Sequence, residues 1–449
     1  MLQDTSGTLL DRLKELEEEN ESLKNRLKDQ KQEGRAHAEE QRLTKIDHHF
    51  SQEEYSRYGR QMIVPEFGSL KAQIKIKEAK VLVIGAGGLG CAALPYLAGT
   101  GVGEIGIVDD DTVDTSNLHR QILHNTCTVG LPKCESAKKY INSLNPHVKV
   151  NTYPIRLNNQ NAFEIVEPYE IVLDCTDTPA TRYLINDVSV ICKKTIVNGS
   201  GLKTEGQFTV LNFRQKGPCY RCFYPQPPSQ GSISTCADAG VLGPSIGLIG
   251  VAMALETIKI ITNYYRESNF TPFLSQYSGY PNQQIRTFKM RAKKSSCVVC
   301  GTNPTITRES ITSEKTNYSL FCGGLPSRNL LESNLRISVK DYAKKVNSPK
   351  NESPVLIDIR PKEQYEITKL PNSINIDWEQ TFRKTDSIDS YLPSHCKKDS
   401  ECFVVCRYGN DSQLAVKKMI DELGFQNVKD IKGGITKWSE EIDPRIPRY

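Results

Sequence analysis

The stretch Lys80-Val-Leu-Val-Ile84-Gly85-Ala-Gly87-Gly88-Leu-Gly90 joins a short β-branched apolar run to three spaced glycines, and a helical stretch through about Ala98 follows. The run reads as a strand and the first glycine as a tight turn. The helix behind them offers free N–H groups that can face phosphate. Glu104-Ile-Gly-Ile-Val108 and Glu170-Ile-Val-Leu-Asp174 repeat the strand pattern, apolar on both faces as in a parallel sheet covered by helices. From about Tyr55 to Gly301 the chain is therefore expected to form a doubly wound α/β domain. Asp109 ends the second strand, about 20 residues beyond the glycines, where an acidic side chain accepts ribose hydroxyls.

NAD and ATP both fit that much. The following loop separates them: Ser116-Asn117-Leu118-His119-Arg120, and then Lys133 at the head of a helix-like segment. An asparagine, an arginine and a lysine close behind the ribose-binding acid are what a triphosphate needs, because phosphoryl charge is met by fixed cations. A further strand runs into Asp174-Cys-Thr-Asp177, placing Asp177 at the carboxyl edge of the sheet, where open α/β sheets bind ligands. A carboxylate facing phosphates is bridged by Mg²⁺.

These residues, with Arg57-Tyr58-Gly59-Arg60-Gln61 and two cysteine pairs, resemble the ubiquitin-activating-enzyme superfamily, and within it the molybdopterin-synthase adenylyltransferases. The resemblance implies a Rossmann-like adenylation domain that uses ATP and Mg²⁺ to adenylate the C-terminal glycine of a ubiquitin-like protein. It also implies a homodimer in which Arg60 reaches the partner's triphosphate. By that likeness Gly88, Asp109, the Ser116 to Arg120 segment (including Asn117, Leu118 and His119) and Lys133 hold ATP, and Asp177 binds its metal. Thr178 departs from the family, where asparagine is frequent.

The 14 cysteines sort by context. Cys219-Tyr-Arg-Cys222 and Cys297-Val-Val-Cys300 can supply four thiolates for a tetrahedral Zn²⁺, a redox CxxC being the other reading. Cys236, in Ser234-Thr-Cys236-Ala-Asp238, reads from its surroundings alone as a loop cysteine; the resemblance matches it to the family's conjugating cysteine. Cys406 follows the strand Glu401-Cys-Phe-Val-Val405, opens the loop Arg407-Tyr-Gly-Asn-Asp411-Ser412 and precedes a helical stretch from Gln413 to Leu423. Such a loop points N–H groups and a helix N-terminus at the sulfur, an arrangement expected to stabilise a thiolate or a persulfide anion. A phosphatase would carry arginine at the position Ser412 occupies. Cys91, Cys127, Cys134, Cys175, Cys192, Cys322, Cys396 and Cys402 are assigned to packing or surface.

With Asp358-Ile-Arg360, Glu363, Pro371-Asn-Ser-Ile-Asn375 and Lys432-Gly433-Gly434-Ile-Thr-Lys-Trp438, the Cys406 loop resembles a rhodanese domain over about 336–449. That likeness implies a persulfide on Cys406, with Asp358 and Arg360 supporting the loop. Ahead of the α/β domain, at 50–301, leucines 9, 13, 16, 23 and 27 outline a short N-terminal helix or coiled coil within 1–45. Residues 302–335, with Gly323-Gly324 and Pro326, read as a linker.

A formal charge of +5 is too weak to name nucleic acid as a direct partner. The apolar stretch Val241 to Leu255 is interrupted by Gly243, Pro244, Gly247 and Gly250, so it reads as a buried helix rather than a membrane span. The low cysteine density and the N-terminal residues point to a reducing cytoplasm. A chain that adenylates a protein carboxylate and carries sulfane sulfur is expected to make a thiocarboxylate, and the two resemblances together imply that the substrate is a ubiquitin-related modifier serving 2-thiolation of tRNA wobble uridine. A cysteine desulfurase or another persulfide donor would load Cys406. The rival readings are an NAD-dependent oxidoreductase with an appended rhodanese module and a non-catalytic scaffold.

Overall fold

The computed structural model describes residues 49–227, 239–322, 330–347 and 354–449, so the N-terminal leucine pattern and Cys236 lie outside the described residues. The chain divides into two units between Cys322 and Gly323. The first is built on an eight-stranded sheet: β1 (Lys80–Ile84), β2 (Glu104–Val108), β3 (Lys149–Tyr153), β4 (Ile171–Asp174), β5 (Thr195–Leu202), β6 (Glu205–Leu211), β7 (Phe273–Ser278) and β8 (Gln284–Lys289). The order is β3-β2-β1-β4-β5-β6-β7-β8, parallel through β5 and antiparallel beyond it. This is the expected doubly wound architecture.

Burial of both faces drives the centre of this sheet. Val81, Leu82, Val83, Ile105, Ile107, Val172 and Leu173 are fully buried, each worth about 1.5–3 kcal/mol relative to exposure. Helices Gly88–Thr100 and Gly243–Ile261 lie against each other and cover one face; the second runs past Glu256 to Ile261, beyond the expected end. Ile249, Met253 and Ala254 are fully buried, which makes it the expected core helix. It lies close on β5 and β6 because a Cβ at Gly199, Gly201 or Gly206 would sit 2.2–2.4 Å from Met253, Ile246 or Ile249.

Part of the stretch expected as a linker belongs to the first unit. Helices Arg308–Thr312 and Tyr318–Phe321 pack on the first unit, with Ile311 and Tyr318 buried among Tyr183, Leu184 and Val188. Asn159 Nδ2 donates to the carbonyls of Ile311 and Thr316 at 3.1 and 2.9 Å. The first unit thus extends past Gly301 because the apolar side chains of Ile306, Ile311, Tyr318 and Phe321 pack on it and Asn159 binds the segment's backbone.

The second unit carries β9 (Arg336–Ile337), β10 (Val355–Asp358), β11 (Ser373–Asn375), β12 (Cys402–Val405) and β13 (Val428–Ile431) in the order β11-β10-β12-β13-β9, all parallel. Helices Val339–Val346, Lys362–Ile367, Asp411–Asp421 and Gly434–Glu441 complete it. This is the α/β arrangement expected for the C-terminal domain.

A Cβ on Gly250 would stand 2.3 Å from Leu89 O, a backbone atom that cannot swing away. Gly250→Ala is expected to cost about 1–3 kcal/mol by overpacking the helix pair, read as a lowered thermal midpoint; an unchanged midpoint would contradict this packing.

Candidate functional site

The carboxyl ends of β1, β2 and β4 open into a cavity of about 360 Å³, lined among others by Gly88, Asp109, Asn117, Arg120, Lys133 and Asp177. The glycine loop is shaped by two requirements. Gly85 has φ +98°, a left-handed conformation other residues resist, and a Cβ on Gly90 would stand 2.0 Å from Gly85 O. The carbonyl of Ala86 is pinned from behind by the Cys91 thiol and His124 Nε2, both at 3.1 Å. The N-terminus of helix Gly88–Thr100 consequently faces the cavity.

Asp109 clasps this loop. Its Oδ2 accepts from Ala86 N–H at 2.7 Å and its Oδ1 from Asp111 N–H at 2.9 Å. Burial raises its pKa, opposed by the charge of Lys133. Lys133 is itself buried, in the first turn of helix Lys133–Leu144, where the helix dipole disfavours a cation. Its Nζ binds Asp111 Oδ2 at 2.7 Å. A buried lysine set against the dipole is suited to meeting an anion. Asn117 Oδ1 accepts from Arg120 Nη2 at 2.7 Å, presenting both side chains at the cavity wall.

Ser116, Leu118 and His119 do not line the cavity. The turn Thr115–Asn117 is capped by Asp114, which accepts from Ser116 N–H and Oγ, and His119 Nδ1 bonds Ser116 O at 2.9 Å. These residues shape the turn that carries Asn117 and Arg120. Asp177 and Thr178 are exposed at the mouth. Arg60 is exposed in the last turn of helix Gln52–Met62 and does not line this cavity, while Tyr58 beside it is buried.

Sequence reasoning missed two residues here. Arg182 lines this cavity and a larger neighbour of about 870 Å³, and its Nη2 donates to Thr176 O at 2.5 Å. No sequence signal marked it, since Thr178, Asn186 and Ser189 on the same helix face are polar too. Gln121 is buried at the cavity wall, and its Oε1 has no hydrogen-bond partner among the described residues. The neighbouring cavity shares Asp177, Arg182 and Gly201 with the first and is walled by Tyr220, Tyr224 and Tyr277, so the two are continuous along those residues.

Cys219, Cys222, Cys297 and Cys300 converge in one buried cluster, as their spacing predicted. Their Sγ separations of 3.5–3.9 Å are far beyond a disulfide bond. They match the edge of about 3.8 Å of a tetrahedron with metal–sulfur bonds of about 2.3 Å. Hydrogen bonding with Cys219 holds the Cys222 thiol below its ordinary range, and Lys294 N–H donates to its sulfur at 3.5 Å. Between the first pair, Arg221 forms a buried ion pair with Asp187 at 2.8 Å, tying the cluster to helix Pro179–Ile191, whose start flanks Asp177. The donor set can hold a metal ion.

In the second unit Cys406 sits where β12 ends, buried, with Gly409 N–H donating to its Sγ at 3.1 Å. Gly433 and Gly434 back the loop, since Ile435 and Thr436 N–H groups bind the carbonyls of Cys406 and Arg407. A Cβ on Gly434 would stand 2.2 Å from Cys406 O. The expectation of a lowered thiol is corrected. Burial pushes the Cys406 pKa up, Asp411 adds to this, and hydrogen bonds from Ser412 and Tyr408 only partly oppose it. Asp358 and Arg360 form a buried pair at 2.6 Å, and Arg360 also binds Gln364 O and Thr368 O, which is a supporting role.

Among the remaining cysteines, burial pushes Cys91 and Cys134 up to about 12, as packing residues should behave. Cys396 and Cys402 approach with Sγ atoms 3.7 Å apart.

Residues 58–299 match the ThiF family and residues 338–441 the rhodanese-like domain. The adenylyltransferase and sulfurtransferase UBA4 of Debaryomyces hansenii is 66% identical over 405 residues, which is 90% of each chain. That of Scheffersomyces stipitis is 58% identical over 98% of each chain. That of Candida albicans is 58% identical over the full length of both.

Proposed function

The chain belongs to the ThiF family, in the UBA4 group of adenylyltransferases and sulfurtransferases, and from that premise we propose how its residues act on a ubiquitin-like sulfur carrier. The observation that carries the reading is the convergence of Asp109, Asn117, Arg120, Lys133 and Asp177 on one cavity beside a helix N-terminus. Asp109 accepts from the ribose, the glycine loop and Gly88 pass the phosphates, and Asn117, Arg120 and Lys133 neutralise them. Asp177, exposed at the mouth, would hold Mg²⁺ against the phosphates, and Thr178 flanks it. The carrier's C-terminal tail enters through the neighbouring cavity between Tyr220, Tyr224 and Tyr277, which leads to Asp177 and Arg182.

A carboxylate is a poor electrophile. Its oxygen attacks the α-phosphorus of ATP, pyrophosphate leaves, and the mixed anhydride with AMP has a good leaving group; the chain's part is positioning and charge neutralisation. The terminal sulfur of a Cys406 persulfide then attacks the carbonyl carbon and AMP leaves, giving an acyl disulfide. A thiol attacking Cys406 Sγ frees the thiocarboxylate, and Cys236 is the residue assigned to that step. The persulfide comes from a cysteine desulfurase or a similar donor, and the product serves 2-thiolation of tRNA wobble uridine and protein conjugation. Persulfide and thiolate chemistry supports a cytoplasmic setting, where thiols stay reduced.

The four-thiol cluster fits Zn²⁺ as a structural ion that fastens the end of the antiparallel strands to helix Pro179–Ile191. A homodimer is supported by exposed apolar residues on the paired helices, Tyr96, Val251 and Leu255, and by Arg60, which is exposed away from its own cavity and free to serve a partner's triphosphate.

Cys406→Ala is expected to keep carrier-dependent exchange of labelled pyrophosphate into ATP and to lose thiocarboxylate formation; thiocarboxylate from this variant would place sulfur entry elsewhere. Asp177→Ala should reduce the exchange about a hundredfold or more, as loss of a charge-stabilising group does, and parent-like exchange would remove Asp177 from the reaction. Metal analysis of the full chain should find one zinc per chain, with Cys297→Ser losing it and unfolding at lower temperature. Equal zinc in the variant would reject the four-thiol site.

A further inference from the structure

Ser412 stands where a phosphatase loop carries arginine, and its hydroxyl is buried between the Cys406 thiol and the Asp430 carboxylate. The Cys406 thiol donates to Ser412 Oγ at 3.4 Å, and Ser412 Oγ donates onward to Asp430 Oδ2, also at 3.4 Å. Asp430 is wholly buried on β13, flanked in register by Val404 of β12 and Arg336 of β9. Arg336 Nε and Nη2 bind its two oxygens at 2.8 and 3.1 Å, and Nη2 reaches Gly409 O at 3.2 Å. The same arginine therefore fixes the carboxylate and the loop residue whose N–H faces the sulfur.

We propose that Cys406, Ser412 and Asp430 form a proton relay, in which Asp430 takes through Ser412 the proton that Cys406 must lose before it accepts sulfur. The S–H bond breaks as an O–H bond forms at Ser412, and Ser412 passes its own proton to Asp430 Oδ2. The hydroxyl then points back at the sulfur. One negative charge has moved from Asp430 to Cys406, and the net charge of the buried site is unchanged. The thiolate attacks the terminal sulfur of a donor persulfide, forming a new S–S bond at Sγ. The donor's S–S bond breaks, and its leaving thiolate is balanced by the proton held on Asp430.

The relay answers a physical difficulty. Adding a charge to this pocket carries the desolvation penalty of a new buried ion, whereas the relay keeps the net charge unchanged and leaves Arg336, which also holds Gly409 O, beside the transferred charge. The N–H of Gly409 is already placed to receive the charge at sulfur. Burial raises the proton affinity of Asp430 as well as that of Cys406, which suits the carboxylate to act as acceptor. The other charged groups around the site are Asp411 at the helix start, Arg407 in the loop, Arg336 from β9 and Lys432 after β13. Asp358 and Arg360 beside β10 are paired with each other.

The relay deepens the reading of Cys406 as the sulfur carrier and rests on it, but its test is separate. Iodoacetamide labelling of Cys406 in the full chain is followed by mass spectrometry as a function of pH. Ser412→Ala, which leaves the Arg336–Asp430 pair in place, should move the labelling midpoint upward by about one pH unit, slowing labelling near neutral pH about tenfold. Ser412→Thr, which restores a hydroxyl, should return the parent's profile. A parent-like profile in Ser412→Ala overturns the relay, even where Cys406→Ala abolishes thiocarboxylate formation. Thiocarboxylate from Cys406→Ala alongside the predicted shifts would defeat the carrier reading alone.

Discussion

Both units place their chemistry where a parallel strand ends and a helix begins, because the first N–H groups of a helix have no carbonyl to bind. In the first unit β1 ends at Ile84 and the helix starts at Gly88; in the second β12 ends at Val405 and the helix starts at Asp411. The first turn is narrow and built of glycines, so an extended anion can lie across it. The second holds Cys406, whose sulfur accepts from Gly409 N–H. One backbone constraint thus serves phosphate in one unit and sulfur in the other, and what differs is the side chains set around it.

Those side chains are arranged to keep buried charge paired. Lys133 stands against Asp111, Arg221 against Asp187, Arg336 against Asp430 and Arg360 against Asp358, and at least one member of each pair is fully or almost fully buried. Breaking a buried pair costs about 3–5 kcal/mol, since it strands the survivor. The pairs near reacting groups therefore hold geometry as well as charge. Arg221 lies between two ligands of the thiol cluster and grips the helix that begins beside Asp177, so the cluster and the mouth of the cavity share one rigid element.

Much of this was legible in the chain. Strands β1, β2, β4, β10 and β12 are apolar on both faces and bounded by turn residues, and the glycine loop and both cysteine pairs carry their chemistry in their spacing. The strands from β5 onward were not, because Gly199, Gly201 and Gly206 interrupt the pattern to admit a helix and β8 is exposed throughout. The packing of residues 302–322 rests on a few scattered apolar side chains, Ile306, Ile311, Tyr318 and Phe321, whose spacing follows no period. Arg182 and Gln121 were hidden because no spacing rule reports which polar residue faces a cavity. The Cys406 thiol was misjudged in direction, since N–H groups and a helix N-terminus are visible in sequence and complete burial is not. Arg336 and Asp430, brought together from strands far apart in the chain, could only be found by folding it.

The central claim is that one chain activates a carboxylate with ATP and then delivers sulfur to it. The most direct measurement is the intact mass of the ubiquitin-like carrier after incubation with the full chain, ATP and a persulfide donor, with each reagent omitted in turn. One C-terminal oxygen is expected to be replaced by sulfur only when ATP and persulfide are both present. An unchanged carrier in the complete mixture, or sulfur gained without ATP, would contradict the claim.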